Sequence, residues 1–384
     1  MREQGGYPYF RALESRQDTE VIMEGKRRIM LGSHNYLGLT TNSSVIEAGV
    51  QAYRTLGSGC SGSRFLNGTL KLHLELEDEL AKFLRKDAVV TFSTGFQANL
   101  GIISASVGLH DYVIMDRENH ASLYAGCRLS YGKMLRFMHN DMADLEKKLQ
   151  KVPENCGCLI VTDGVFSMDG NVAPLDKICE LAEKDDALVM VDESHSAGVV
   201  GPTGHGVAEQ FDVYGRVDIF TGTLGKAFGG AMGGFTTGKK EIIDMLRQRS
   251  RPYLFSNSVA PAIVGASLEM FKMLKESDAL HTKLMNNVSY FRDKMLAAGF
   301  DIKPTQSAIC AVMLYDAKLS QDFAAKMQEE GIYVTGFYYP VVPKGQARIR
   351  VQLSAGHETE HLDKAIAAVV KVGKALGVSN YRRC

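Results

Sequence analysis

The run Leu188-Val189-Met190-Val191 ends in Asp192, and Glu193-Ser194-His195 follows at once. Short apolar runs of this kind recur along the chain, at residues 88–92, 112–115, 158–162, 187–191 and 217–221. Helix-like stretches separate them, among them residues 70–83, 142–151 and 175–184. Strands that are apolar almost throughout, alternating with helices, predict an α/β fold whose mainly parallel sheet is covered by helices on both faces. In such sheets ligands collect at the carboxyl ends of the strands, which is where Asp192 and His195 fall.

Three of these strand ends read together. Val217-Asp218-Ile219-Phe220 runs into Thr221-Gly222-Thr223-Leu224-Gly225-Lys226, and the strand at 158–162 runs into Asp163-Gly164-Val165-Phe166-Ser167. A carboxylate after a buried strand is costly without a charged partner. A protonated pyridine nitrogen is such a partner, and its protonation makes the ring an electron sink. His195 would then reach the phenolic oxygen of that cofactor. Lys226, between Gly225 and Gly229-Gly230, has small neighbours that admit a bulky ring, and a desolvated lysine shifts toward its neutral, nucleophilic form. Taken singly, each residue has a plainer reading: a helix cap for the Asp, a solvated loop for the Lys. Their register on successive strand ends favours the cofactor.

The phosphate needs its own cradle. Ser93-Thr94-Gly95-Phe96 opens a helix-like segment, whose first backbone N–H groups and dipole suit an anion; an ordinary capped helix start is the alternative. Thr223 could add a hydroxyl. The glycines after Lys226 do not form the GxxxxGK[ST] pattern of an NTPase. His120, in Glu118-Asn119-His120-Ala121-Ser122, is either a ring-stacking residue or a surface histidine. Arg350, in Ala347-Arg348-Ile349-Arg350-Val351, is either a clamp for a substrate carboxylate or a surface strand arginine.

Composition bounds the rest. At 384 residues the chain is long for one core, and Lys+Arg balance Asp+Glu at 44 each, which argues against nucleic acid as the main partner. The seven cysteines are scattered (Cys60, Cys127, Cys156, Cys158, Cys179, Cys310, Cys384), as expected of free thiols in a reducing compartment. The lone Cys156-x-Cys158 lacks the four ligands of a closed zinc site, so no metal is expected. The opening MREQGGYPYF has no apolar signal core, and no run reaches the ~20 apolar residues of a membrane helix, so the cytoplasm is expected. Three parts are expected: an N-terminal extension over 1–43 with a turn at Gly25, a large domain over 44–272, and a smaller C-terminal α+β domain over 273–384.

The segments His34-Asn35-Tyr36-Leu37-Gly38, Glu118–Ser122, Asp163-Gly164-Val165-Phe166-Ser167-Met168-Asp169-Gly170, Asp192–His195 and Thr221–Lys226 together resemble the α-oxoamine synthases, fold-type I pyridoxal-phosphate enzymes. The resemblance implies that Lys226 carries pyridoxal 5'-phosphate as a Schiff base. It implies that Asp192 pairs with the pyridine nitrogen, that His120 stacks on the ring, and that Ser167 and His195 lie near the phenolic oxygen. Gly95, Phe96 and Thr223 would hold the phosphate, with Ser256 reaching it from the neighbouring subunit of a homodimer whose sites lie at the interface. Asn35 and Arg350 would contact the amino-acid substrate.

From about residue 186 onward the chain is most similar to the glycine C-acetyltransferase branch. Gly62-Ser63-Arg64-Phe65-Leu66-Asn67-Gly68-Thr69 in the first half is closer to the serine palmitoyltransferase branch. The implied activity is a Claisen-type condensation of an amino acid with an acyl-CoA, glycine and acetyl-CoA giving 2-amino-3-oxobutyrate and CoA. A serine–palmitoyl-CoA condensation and a catalytically silent partner subunit are the competing readings. His34, His205 and Met232 depart from the family pattern, where Asn, Arg and a small residue are usual.

Overall fold

A computed structural model describes residues 10–378; Cys384 and the first nine residues, including most of the opening segment discussed above, lie outside the described residues. The chain divides into two compact units. One contains residues 42–167 and 172–278; the other contains the described residues through Thr41, residues 168–171, and the chain from Ala279 onward. The N-terminal segment thus groups with the C-terminal part of the chain, and the helix Pro261–Glu276 groups with the first unit.

The first unit is built on seven strands: β1 (Ala88–Phe92), β2 (Tyr112–Asp116), β3 (Lys133–Phe137), β4 (Cys158–Asp163), β5 (Leu188–Asp192), β6 (Ile219–Thr223) and β7 (Gly234–Gly238). Their order in the sheet is β1-β7-β6-β5-β4-β2-β3. The β2–β3, β2–β4, β4–β5 and β5–β6 pairs are parallel, while β7 runs antiparallel between β1 and β6. Every residue of β2 and β4 is buried, as their unbroken apolar runs require. Val90, Val113, Met115, Val161, Met190 and Ile219 on the sheet pack with Ala98, Ile102 and Ile103 of the helix Gly95–Ser106 and Leu123 of the helix Ala121–Leu129. This sheet–helix contact is the core that fixes the strand ends.

Several strands run further toward that edge than the apolar residues alone indicate. β4 includes Asp163, β5 includes Asp192, and β6 spans 219–223 rather than 217–221. The acids are therefore strand residues, held by the ladder and not by a loop.

In the second unit, Glu20–Met23 and Lys26–Met30 form a hairpin through the left-handed Glu24 and Gly25. Ile332–Tyr333 adds to it in parallel. A separate antiparallel sheet has the order Ile309–Tyr315, Ala347–Gln352, Thr335–Phe337. The helices Ala279–Ala297, Ala317–Glu329 and Thr359–Ala375 complete the unit. Among the described residues no helix is long and apolar enough to cross a membrane.

Candidate active site

Asp192 closes β5 with its side chain buried. One carboxylate oxygen accepts Asn99 Nδ2 at 2.7 Å and the other accepts the Ser194 N–H at 2.9 Å. Asp163, the matching residue of β4, stands in register beside it and accepts the His120 backbone N–H at 2.6 Å. Burial, and after it the charge of Asp192, holds the Asp163 carboxyl well above the usual carboxylate range; the His120 N–H and Lys226 pull the other way. Asn119 braces this edge, its amide oxygen accepting from the Asp163 N–H at 3.0 Å and its amide nitrogen donating to Val161 O at 2.8 Å.

His120 caps the helix Ala121–Leu129. Although its ring keeps an exposed side, desolvation by the protein behind it pushes the imidazole below its ordinary value. Asp192 opposes that shift and Lys226 adds to it. Asp192 and Lys226 thus each lie within electrostatic reach of both His120 and Asp163. His195 is buried in the turn after β5, and Ser167 is half-buried in the turn after β4 that the Val165–Val172 bridge closes. That turn is where the chain passes from one unit to the other.

The helix Gly95–Ser106 begins beside β6. Thr94 caps it, accepting the Gln97 N–H at 3.1 Å. A Cβ on Gly95 would meet Thr223 Cβ at 3.1 Å and Gly222 O at 3.2 Å, while one on Gly234 would lie 2.4 Å from Thr94 and from Gly95 N. Gly234 demands glycine and Gly95 leaves a Cβ only tight contacts, because the β6–β7 backbone presses directly against the helix start. Thr223 Oγ1 donates to Gly233 O at 2.9 Å and accepts the Gly225 N–H at 3.0 Å, tying the Lys226 loop to the same spot. Lys226 itself is half-buried. Phe96 is 45% exposed, with its ring edge-on to His120 at 6.5 Å. Ser256 accepts Gln97 Nε2 at 3.1 Å within its own chain.

These residues fit pyridoxal phosphate on structural grounds. A buried carboxylate at a strand end can hold a pyridinium, a half-buried lysine acts on the same two neighbours, His120 and Asp163, and a helix start kept open by Gly95 and Gly234 can receive a phosphate. Asn99, Ser122 and Asp163 belong to this site and escape the sequence reading as functional residues. The available signal was an Asn on the buried side of an otherwise apolar helix, where a polar group needs partners.

Asn35 and Arg350 lie in the other unit. Asn35 is buried; its amide oxygen accepts the Thr40 N–H at 3.3 Å, and its carbonyl accepts Ser354 Oγ at 2.6 Å. The Arg350 guanidinium lies over the Phe337 ring at 4.7 Å, a stacking that suits Arg. Burial pushes Arg350 below its ordinary value, opposed by Tyr36, whose own phenol burial pushes up to about 12. Arg348, two residues earlier, is bound to Asp169, as is Lys303. The two strand arginines thus divide: Arg348 is a buried structural ion pair, and Arg350 is stacked and half-buried. His34 lies 6.1 Å from the Tyr36 ring, His205 stacks on Phe83 at 4.3 Å, and Met232 is exposed.

Residues 26–369 match the family described as aminotransferase class I and II. The chain is 48% identical over 380 residues to the 2-amino-3-ketobutyrate coenzyme A ligase of Escherichia coli K12, covering 98% of this chain and 96% of that protein. It is 47% identical to the 8-amino-7-oxononanoate synthase of Thermosipho melanesiensis, with the same coverage. A high-resolution structure of serine palmitoyltransferase (SPT) with a PLP internal aldimine superposes with a TM-score of 0.94 at 36% identity, covering 97% of this chain and 94% of that one. The ligase similarity runs through both halves of the sequence, including the half that resembles serine palmitoyltransferase. The chain belongs to the α-oxoamine synthase family of pyridoxal-phosphate enzymes.

Proposed function

We propose that this enzyme condenses glycine with acetyl-CoA to give 2-amino-3-oxobutyrate and free CoA. The observation that carries this reading is the full-length 48% identity to a 2-amino-3-ketobutyrate coenzyme A ligase, joined to the Asp192–Lys226–His120 cluster at the sheet edge. Pyridoxal phosphate, when bound, supplies the electron sink for a carbanion at the amino-acid Cα.

The chain's own groups do the rest. Lys226 Nζ would hold the cofactor covalently, and as a free amine it would take the Cα proton. Asp192, fixed by Asn99 and Ser194, would keep the pyridine nitrogen protonated. His120 would pack against the ring. Gly95, Phe96 and Thr223, with Ser256 from the neighbouring subunit, would hold the phosphate, and Ser167 and His195 would hold the phenolic oxygen. Arg350 would take the substrate carboxylate and Asn35 would contact the same substrate, a positioning role that can supply several kcal/mol of a barrier. The substrate carbanion attacks the thioester carbonyl carbon, the C–S bond breaks, and CoA leaves as the thiolate.

A homodimer in the cytoplasm is part of the proposal. The serine palmitoyltransferase reading has two observations in its favour, the resemblance of residues 62–69 and the TM-score of 0.94. Free CoA measured with glycine and acetyl-CoA, against serine and palmitoyl-CoA, separates the two. Turnover confined to the second pair would overturn the glycine assignment.

A further inference from the structure

Asn99 is 2% exposed and makes three side-chain hydrogen bonds at the strand edge. Its Nδ2 lies 2.7 Å from Asp192 Oδ2 and 2.9 Å from Ser122 Oγ, and its Oδ1 lies 2.6 Å from Thr221 Oγ1. Ser122 Oγ is in turn 2.7 Å from His120 Nδ1, and the Ser122 N–H is 3.3 Å from the same nitrogen. Ser122 and Thr221 are also buried. Five polar side chains are thereby joined into one network.

The donor inventory orients every bond in it. A carboxylate only accepts, so the Asn99 amide nitrogen faces Asp192 and its oxygen is left for Thr221, whose hydroxyl donates. The second amide hydrogen goes to Ser122 Oγ. The Ser122 N–H can only donate, so His120 Nδ1 is an acceptor and bears no proton. Ser122 Oγ, already receiving from Asn99, donates its own hydrogen to that nitrogen. Direction therefore runs one way, from Asn99 through Ser122 to His120.

We propose that Asn99 and Ser122 are positioning residues that hold His120 as the neutral imidazole with its proton on Nε2, and that tie this state to the Asp192 carboxylate. The inference rests on the reading of this edge as the cofactor site, because it concerns the ring assigned to stack there. The groups facing that imidazole are Asp192, whose charge favours protonation, and Lys226, whose charge opposes it. Asp163 is bound at the His120 backbone N–H, and the Phe96 ring carries no charge. Two donors on Nδ1 stabilise the neutral ring, so removing the Ser122 hydroxyl makes protonation easier. A ring fixed in one tautomer and plane also spends no entropy on ordering when the cofactor binds.

Nitrogen-15 NMR of the full-length chain, labelled at the imidazoles, tests this before and after pyridoxal phosphate is added, with His120→Gln assigning the signal. The wild type is expected to show a bare Nδ1 and a protonated Nε2 near neutral pH. Ser122→Ala should mix the tautomers and raise the His120 titration midpoint by about half to one pH unit, the size of one ordinary hydrogen bond. Asn99→Ala should shift it less, in the same direction, and the double variant should move it no further than Ser122→Ala does. A wild type protonated on Nδ1, or a Ser122→Ala chain that titrates like wild type, would overturn the proposal. Should Asn99→Ala fail to fold, Ser122→Ala alone decides. The tautomer is read in the cofactor-free chain, so it stands apart from the function. A wild type that gains no visible absorbance with pyridoxal phosphate would instead remove the cofactor reading.

Discussion

Asp163 and Asp192 are register partners on adjacent parallel strands, two buried acids side by side at the edge where Lys226 stands. Their closeness gives them different tasks. Asn99 and Ser194 donate to Asp192, while burial and the charge of Asp192 hold the Asp163 carboxyl well above its usual range. An acid whose folded pKa is raised stabilises the fold below its unfolded value and loses that contribution as pH climbs toward the folded one. Asp163→Asn should keep the His120 N–H acceptor and remove that slope. As pH rises above the usual aspartate value of 3.8, wild type should lose more Tm than Asp163→Asn; parallel Tm curves would refute the assignment.

Lys226→Ala should reduce CoA release by about 10³-fold or more, since the cofactor linkage and the Cα base are lost together. The side chain is half-buried and its loop is tied by Thr223 to Gly233 and Gly225. Melting should therefore stay close to wild type. Turnover near the wild-type level would move the base elsewhere.

How much of this was legible from residues alone varies with the signal each element carries. β1 and the helix Leu175–Lys184 fall where the apolar pattern places them, because uninterrupted Val and Phe, or Leu and Ile at helical spacing, leave little choice of period. β3 (KMLRF) and β7 (GFTTG) were missed. β3 is an edge strand with exposed cations, and β7 is made of Gly and Thr because β6 and the Thr94–Gly95 backbone crowd it. Asp192, Lys226 and His120 could be singled out because acids, amines and imidazoles at strand ends are chemically distinctive. The Asn99–Ser122 network could not, since hydrogen-bond partners 23 and 93 residues apart meet only in the fold.

Gly234→Ala should separate the sheet from the helix start. Its Cβ would lie 2.4 Å from Thr94 C and O and from Gly95 N, and backbone cannot swing aside as a side chain can. Overpacking of this kind costs about 1–3 kcal/mol. Tm should fall, and pyridoxal phosphate should be retained less well on dialysis. Wild-type retention would show that the Gly95–Phe96 backbone is not the phosphate cradle.

Arg350→Ala should lower kcat/KM for the amino acid by an amount equivalent to about 2–5 kcal/mol, the range for truncating one member of a buried charge pair. Arg350→Lys should recover little, because the ammonium lacks the planar fork and its stacking on Phe337. Arg348→Ala should behave differently. Losing the partner of Asp169 strips a buried ion pair, so Tm should fall sharply. An Arg350→Ala enzyme with unchanged kcat/KM would assign the carboxylate to another residue.

Glu193, next to Asp192, bears on the site through the pH dependence of folding. Its carboxyl is 1% exposed, accepts Ser196 Oγ, and receives the Val207 N–H at 3.0 Å and the Ala208 N–H at 3.3 Å. It thereby anchors the turn that carries His195. Burial is the largest influence and raises the carboxyl to about 7, against the opposing pull of those donors. Folded-state pKa above unfolded-state pKa means that the stabilisation is complete below about 4.5 and drains away between 4.5 and about 7. A shift of that size corresponds to roughly 3 kcal/mol at most. Glu193→Gln cannot ionise and keeps an oxygen for the two N–H groups, so across that interval its Tm should decline less than that of wild type. A wild-type Tm that rises from pH 4.5 to pH 7 relative to Glu193→Gln would mean that the turn is held by an ionised carboxylate.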